Sequence, residues 1–341
     1  MIKFEKNKNL DKSMKNLIMS MIEMNNYLAT VLDYMDKPLT EKKEQELIKI
    51  LKSYNIPINT LKYDSKILTE NPYYKNIKLD NISTQTVRYE NDIIKKRRLM
   101  NMDFHKPLGK YLFHYEPIGY FDEDVNMPVL KENKNTVWMS PAVSEIQSMN
   151  DGIEKGYGNC VAFGLGIGVI PYLWLQKDNV KSVTIVEFNK DVIELFNKYI
   201  YPQFNKDKEL KIIHGNAFDY FNDDFLKKFD YAYVDFWESS EDGLKSYMKL
   251  MEKNITYKNI DYWIEDSILT NIQYVMAPYL YAVYSGQSIT DFISSIDFDS
   301  KDIVKKVNRY FKSRNNTITF EDELLDIIHN KNILRKIAGQ V

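Results

Sequence analysis

The stretch that decides the fold is Asn159-Cys-Val-Ala-Phe-Gly-Leu-Gly-Ile-Gly168, followed by Ser182-Val-Thr-Ile-Val-Glu187. A short apolar run ends in three glycines at alternate positions, a helix-patterned segment follows, and a second β-branched run ends in an acid. That order predicts strand, tight turn, helix, strand, carboxylate. Parallel strands bring their C-terminal ends to one edge, which is where open α/β sheets bind ligands. Gly164, Gly166 and Gly168 allow close backbone approach without Cβ atoms in the way, and the next helix aims its N-terminal N–H groups at the same space. Glu187 stands about 20 residues beyond the glycines, where a carboxylate accepts from the hydroxyl pair of a ribose. The glycine pattern is GxGxG; Val169 breaks the dinucleotide fingerprint by one residue.

Working outward, the alternation continues. Strands are expected at residues 160–163, 182–187, 210–214, 231–235 and 260–265, with helices such as 191–200 between them. The result is a doubly wound, mostly parallel, Rossmann-like α/β sheet with right-handed crossovers. The third strand ends in His214-Gly-Asn-Ala-Phe-Asp219. There Gly215 leaves room for a flat ring, and Asn216 can accept from an adenine amino group while Ala217 donates to a ring nitrogen. Gly-Asn also favours a plain turn. The fourth strand ends in Asp235-Phe-Trp237. A carboxylate beside two aromatic rings suits a cationic or amine-bearing substrate, whose amine it can orient or deprotonate; the alternative is a helix cap with Trp237 in the core. Glu265 and Asp266 close the fifth strand and are candidates for the same cleft.

Upstream, Leu10, Met14, Leu17, Met21, Met24, Leu28, Val31 and Met35 are spaced four and three alternately, which reads as a heptad seam on a helix over 10–35. Pro38 stops it, and Thr40 can cap a second helix. The seam serves either an antiparallel hairpin within the chain or a homodimer contact, and the short connection favours the hairpin. A short helix is expected over 92–102, carrying the basic cluster Lys95-Lys-Arg-Arg98. Residues 110–115 and 136–139 read as strands in a segment whose His114, Tyr115, Tyr120 and Trp138 are candidates for a lid. Ser140-Pro141 reads as a helix start. Beyond about residue 268 the pattern is helical, over 272–283 (with Pro278 kinking or splitting it), 302–312 and 321–338. The division is a helical hairpin over 1–55, a mixed extension with a β-rich segment over 56–140, a ligand-binding domain over 141–268, and a helical region over 269–341.

At 341 residues the chain can bury a full α/β core and carry additions. A net charge of −2 argues against charge-driven nucleic-acid binding. Cys160 is the only cysteine, so neither an internal disulfide nor a multi-cysteine zinc site can form, and the four histidines lack ligand spacing. Because no stretch approaches the ~18–20 apolar residues of a membrane span, a soluble, cytoplasmic protein with no metal is expected.

Taken together, the glycine loop, Glu187, the Gly215-Asn-Ala217 turn and the strand ending at Asp235 resemble the class I S-adenosylmethionine-dependent methyltransferases, and among them the spermidine-synthase-like branch. The resemblance covers residues 138–268. Gly164-Leu-Gly-Ile-Gly168 matches the family's glycine loop, Glu187 its ribose acid, and Gly215-Asn-Ala217 its adenine-contacting Gly-Asp-Ala. Asp235 matches the catalytic Asp of the aminopropyltransferases, and Trp138-Met-Ser-Pro with Glu145-Ile146 resembles the segment leading into the nucleotide domain. The chain also departs from the pattern. Ala162 stands where many methyltransferases carry an acid, Ile167 where aminopropyltransferases place Asp, and Asn216 where the adenine Asp is usual. Phe-Trp-Glu-Ser-Ser-Glu follows Asp235 in place of Ser-Ser-Asp. These changes count against polyamine synthesis more than against the cofactor. The resemblance implies S-adenosylmethionine held by Gly164, Leu165, Gly166, Gly168, Glu187, Phe188, Asn216, Ala217 and Asp235. It further implies catalysis at Asp235, with Phe236, Trp237, Glu265, Tyr115 and Trp138 toward a small-molecule or peptide acceptor. Methyl transfer, with an amine as one candidate acceptor, is the leading expectation. The alternatives are aminopropyl transfer from decarboxylated S-adenosylmethionine, or nucleotide binding without catalysis.

Overall fold

The computed structural model describes the chain apart from Met1, Asp36, His105, residues 133–136, Ser140, Pro141, Phe298, Asp299 and the side chain of Trp138. Two long antiparallel strands precede the central sheet: β1 (Val87–Ile94) and β2 (Val125–Glu132), with β3 (Val137–Met139) paired to β2. The central sheet holds β4 (Gly158–Phe163), β5 (Val180–Glu187), β6 (Glu209–His214), β7 (Tyr231–Val234) and β8 (Ile260–Tyr262). Its spatial order is β6-β5-β4-β7-β8, and every pairing is parallel. The order reverses between β4 and β7, so their C-terminal ends flank a crevice. Cys160–Phe163 and Val183–Val186 are buried throughout, as expected for strands covered on both faces.

Helices α1 (Lys8–Leu32) and α2 (Glu41–Ser53) are capped by the side chains of Asn7 and Thr40. Most of the seam packs within the chain. Leu10, Met14 and Leu17 enter the main core, whereas Met24 and Val31 join Leu47 and Leu51 in a second core with Leu61, Leu99 and Tyr120. Each such side chain is worth ~1.5–3 kcal/mol buried; Met21, Leu28 and Met35 of the same seam are half-buried, and the exposed Met19, Ile22 and Leu32 lie off it.

Residues 92–102 are not helical. β1 runs to Ile94 because it pairs with β2 along its full length, and the basic cluster then turns. Lys95 meets Asp124 at 2.9 Å, while Arg97 meets Glu44 at 2.7 Å and stacks on Tyr120.

After β4 and the glycines comes α4 (Val169–Leu175), preceded by α3 (Val143–Lys155). The helix after β5 is α5 (Lys190–Leu195), continued by a wider π turn over Phe196–Ile200. α6 (Ser240–Glu252) follows β7 and is capped reciprocally by Ser239 and Asp242. The fifth strand is shorter than expected. It stops at Tyr262, and Glu265 opens α7 (Glu265–Ser285) after Ile264 adopts a left-handed conformation at φ 46°. Pro278 lies inside α7 without dividing it, since burial of Ile268, Ile272, Met276 and Leu280 outweighs the one lost backbone hydrogen bond. α8 (Lys301–Lys312) packs against α7, and the final helical stretch is two elements, α9 (Glu321–His329) and α10 (Lys331–Ala338), divided at Asn330, whose side chain caps α10. Among the described residues no helix is long and apolar enough to cross a membrane, and no cluster of three or more potential ligands could hold a metal ion.

Candidate functional site

A cavity of about 530 Å³ opens at the C-terminal ends of β4, β5 and β7. Its wall contains Gly164, Leu165, Gly166, Glu187, Phe188, Asn216, Ala217, Asp235, Phe236 and Trp237, all of them expected at the site from the sequence. Gly168, the third loop glycine, precedes α4 as its N-terminal cap residue and is not part of the wall.

The strand ends are drawn together by backbone. Asp235 N–H donates to the Phe163 carbonyl at 2.8 Å and Gly164 N–H to the Val186 carbonyl at 3.0 Å. Gly164 sits at φ 107°, and a Cβ there would lie 1.7 Å from the Asp235 carbonyl oxygen. Only glycine permits this approach.

Glu187 is 6% exposed. One carboxylate oxygen accepts from Leu165 N–H at 2.9 Å and the other from Asn189 N–H at 2.6 Å. The Phe188 N–H also favours the charged form, and a carboxylate with about four acceptor directions has room left for a ligand hydroxyl. Burial pushes its pKa up, opposed by those backbone donors and by His214. Beside it Phe188 is 71% exposed, an aromatic face in solvent at the mouth of the cavity. Across the crevice Asn216 caps the short helix Ala217–Tyr220, its side-chain oxygen accepting from Phe218 N–H at 3.0 Å. The turn role and the cavity position therefore coexist at Asn216.

Asp235 does not cap α6, because Ser239 and Asp242 perform that role. Among the described residues its carboxylate has no hydrogen-bond or ion-pair partner, and the residue lines the cavity. Burial alone pushes its pKa from 3.8 up to about 7. Phe236 packs against Trp237 with ring centroids 5.1 Å apart and edge-on to Phe218 at 5.6 Å. Trp237 is buried and donates its indole N–H to the Trp263 carbonyl at 3.3 Å, so it is both wall and core.

Several expected residues lie elsewhere. Glu265 is outside this cavity, held by Arg335, Tyr247 and Lys331, because the early end of β8 places it on α7. Tyr115 lines a separate pocket of about 240 Å³ beside α2, and Tyr120 is bound to Glu44 and Arg97. That half of the expected lid belongs to the N-terminal core. Trp138's side chain lies outside the described residues. The later half does reach the site, through Leu130, Glu132 and Met139.

Sequence reasoning does not find Glu132, Met139, Glu145, Met149 and Trp263, which also line the wall. Only alternation within the 125–132 strand hints at Glu132. With Glu187 and Asp235, Glu132 and Glu145 make four carboxylates on the wall, and among the described residues no lysine, arginine or histidine lines it. A concave, partly aromatic wall carrying this one sign of charge favours cationic ligands.

No protein-family model matches the chain, and no curated protein matches it. Among solved structures, a "putative methyltransferase" from Porphyromonas gingivalis W83 is similar at 20% identity over 27% of this chain and 22% of that one, with a TM-score of 0.23. Spermidine synthase from Thermotoga maritima is similar at 13% identity over 43% of this chain and 57% of that one, with a TM-score of 0.30. The chain thus matches less than two thirds of the length of either protein. Likeness at this level carries no argument about activity, and the Rossmann-like α/β assignment stands on strand order and connectivity.

Proposed function

We propose that this protein is a transferase that takes an alkyl group from an adenosyl sulfonium, S-adenosylmethionine in the leading reading, and delivers it to an amine. The single observation that carries the reading is the unpartnered Asp235 carboxylate, beside the glycine loop and in one cavity with Glu187.

The residues fit an adenosyl group. Glu187 has acceptor directions left for the ribose hydroxyls, Phe188 offers a flat apolar face for the base, and the loop after β4 admits close approach. When bound, the sulfonium supplies an activated carbon: the new carbon–nitrogen bond forms as the carbon–sulfur bond breaks, and that electron pair stays on sulfur. What the chain contributes is binding, orientation and a proton acceptor. An alkylammonium must lose a proton before its nitrogen has a lone pair to use. Asp235, whose pKa burial pushes up to about 7, is a stronger base than a solvent-exposed aspartate. Phe236 and Trp237 shield the amine from water, and Glu132 adds a further carboxylate to the wall of the same cavity.

A second reading, aminopropyl transfer from decarboxylated S-adenosylmethionine, is favoured by the charge of the wall. A methionine carboxylate would find no cationic side chain among the described lining residues. In the glycine loop, the N–H groups of Gly164, Leu165, Ile167 and Gly168 already have acceptors.

Thermal stabilisation by S-adenosylmethionine, its decarboxylated form and S-adenosylhomocysteine, followed by turnover with amine, hydroxyl and thiol acceptors, separates the readings. A bound ligand raises the melting temperature by mass action. Stabilisation by the sulfoniums with product only from amines is expected. Indifference to all three nucleosides would remove the proposal.

A further inference from the structure

The glycine loop is held from behind by two tyrosines that do not line the cavity and by Met139, which does. The buried Tyr73, on the short helix Pro72–Asn76, donates its phenol to the Ile167 carbonyl. The buried Tyr89, in the middle of β1, reaches the Gly166 carbonyl at 3.5 Å, a longer and weaker contact. Met139 on β3 completes the grip. Its sulfur accepts from Ile167 N–H at 3.4 Å, and a Cβ at Gly166 would lie 2.3 Å from that sulfur. Two consecutive carbonyls of the loop are therefore satisfied by groups that come from more than 70 residues upstream.

The same upstream segment is tied down on both flanks of the loop. Asn76 donates to the Tyr172 hydroxyl at 2.9 Å on α4, and Thr84 and Thr86 both bond Asp191 in the first turn of α5, just past Glu187. Burial pushes both tyrosine phenols far above their ordinary pKa, so both remain protonated donors. Ile167 is fully buried, and its carbonyl would have no partner if the Tyr73 hydroxyl were removed.

We propose that Tyr73 and Tyr89 are positioning residues for the donor: they fix the carbonyls of Gly166 and Ile167 and so hold the glycine loop in the shape that admits an adenosyl sulfonium. The segment upstream of the nucleotide domain is thus part of the donor site, a docked wall in place of a mobile cover. The inference rests on the reading that this loop holds the donor, but its structural half is testable without any ligand.

The experiment compares Tyr73→Phe and Tyr89→Phe with Tyr279→Phe, a control on α7 whose hydroxyl donates to the Asn308 side-chain oxygen on α8 at 3.1 Å. Amide hydrogen exchange of residues 164–168 is measured in the ligand-free protein, and affinity for S-adenosylmethionine and for its decarboxylated form is measured by calorimetry. Tyr73→Phe should speed loop exchange and weaken donor affinity by about tenfold each, with acceptor KM unchanged. Tyr89→Phe should do the same to a smaller degree, and Tyr279→Phe should change neither. Loop exchange in Tyr73→Phe equal to that of the control overturns the inference. Should the wild type bind neither sulfonium, the functional reading fails, and the exchange comparison still decides whether the tyrosines clamp the loop. If Tyr73→Phe does not fold, the longer-bonded Tyr89→Phe decides by the same two measurements.

Discussion

Asp235 and Glu265 are carboxylates placed just past neighbouring parallel strands, and the fold treats them in opposite ways. Glu265 is 6% exposed and fully answered: Arg335 forks onto it at 2.7 and 2.8 Å, the Tyr247 hydroxyl donates at 2.5 Å, and Lys331 stands at 3.4 Å. Asp235 has no such partner among the described residues, and its pKa rises to about 7. Burying a carboxylate is costly unless it is paired. A paired one is explained by structure alone, here the anchoring of α10 to the start of α7. An unpaired one facing a cavity is a standing cost to the fold and marks the place where a ligand is expected to supply the partner.

The sharpest way to break this contrast is Asp235→Asn. If Asp235 accepts the acceptor's proton, the turnover rate should fall by ~10²–10⁴-fold with donor affinity nearly intact. Stability should move the other way. The folded pKa of Asp235 lies above its ordinary value of 3.8, so wild type loses stability relative to Asp235→Asn as pH rises from about 4 through 7, and the gap is constant above that. The variant should therefore melt higher at pH 8 and equal to wild type near pH 3. Denaturation at the two pH values checks the sign, and a variant less stable at pH 8 would mean that Asp235 has a favourable partner.

Arg335→Met should give the complementary result. It strips the fork from a buried carboxylate and should destabilise by ~2–4 kcal/mol, with Lys331 supplying part of the lost charge. Turnover per folded molecule should change little, because Glu265 lies outside the cavity. A loss of turnover without loss of stability would put Glu265 back among the functional groups.

Glu187 lies between the two cases, held by backbone N–H groups and still lining the cavity. Glu187→Gln should weaken nucleoside binding by ~10–100-fold, since the lost bonds are to a charged acceptor. Calorimetry with S-adenosylhomocysteine reads this directly, and unchanged affinity would detach the ribose from this residue.

These three carboxylates also show what the sequence makes legible. Glu187 and Asp235 end strands whose apolar runs and following helices are local patterns, so sequence alone places both at the crevice. Glu265 belongs to the same kind of pattern and reads as a strand end. Its true position depends on a left-handed Ile264 and on an arginine 70 residues downstream, and no local rule encodes either. The helix expected around the basic cluster at 95–98 fails for the same reason: the partners Asp124 and Glu44 lie far along the chain. Proximity in sequence suggests a lid for Tyr115 and Tyr120, whereas packing against α2 places them in the second core. Legibility ends where a residue's role is fixed by segments that meet only in the folded chain.

Glu132 is the smallest test and bears on what Asp235 can do alone. On β2, Leu130 and Glu132 point into the cavity, while Lys131 points away and pairs with Glu90 at 3.0 Å, as strand alternation requires. Glu132 thus carries charge to the acceptor side without a salt bridge to Lys131. Glu132→Gln keeps its shape and removes that charge. For a cationic acceptor KM should rise by ~3–5-fold, an effect that should shrink as salt is added, with the turnover rate and melting temperature unchanged. A neutral acceptor of the same size should show no change. If KM for the cation is also unmoved, the charge of the wall is not being read, and recognition of the amine falls to Asp235 and the rings of Phe236 and Trp237 alone. Asp235→Asn would then raise acceptor KM as well as lower the rate, so the two variants together separate a residue that attracts the amine from one that deprotonates it.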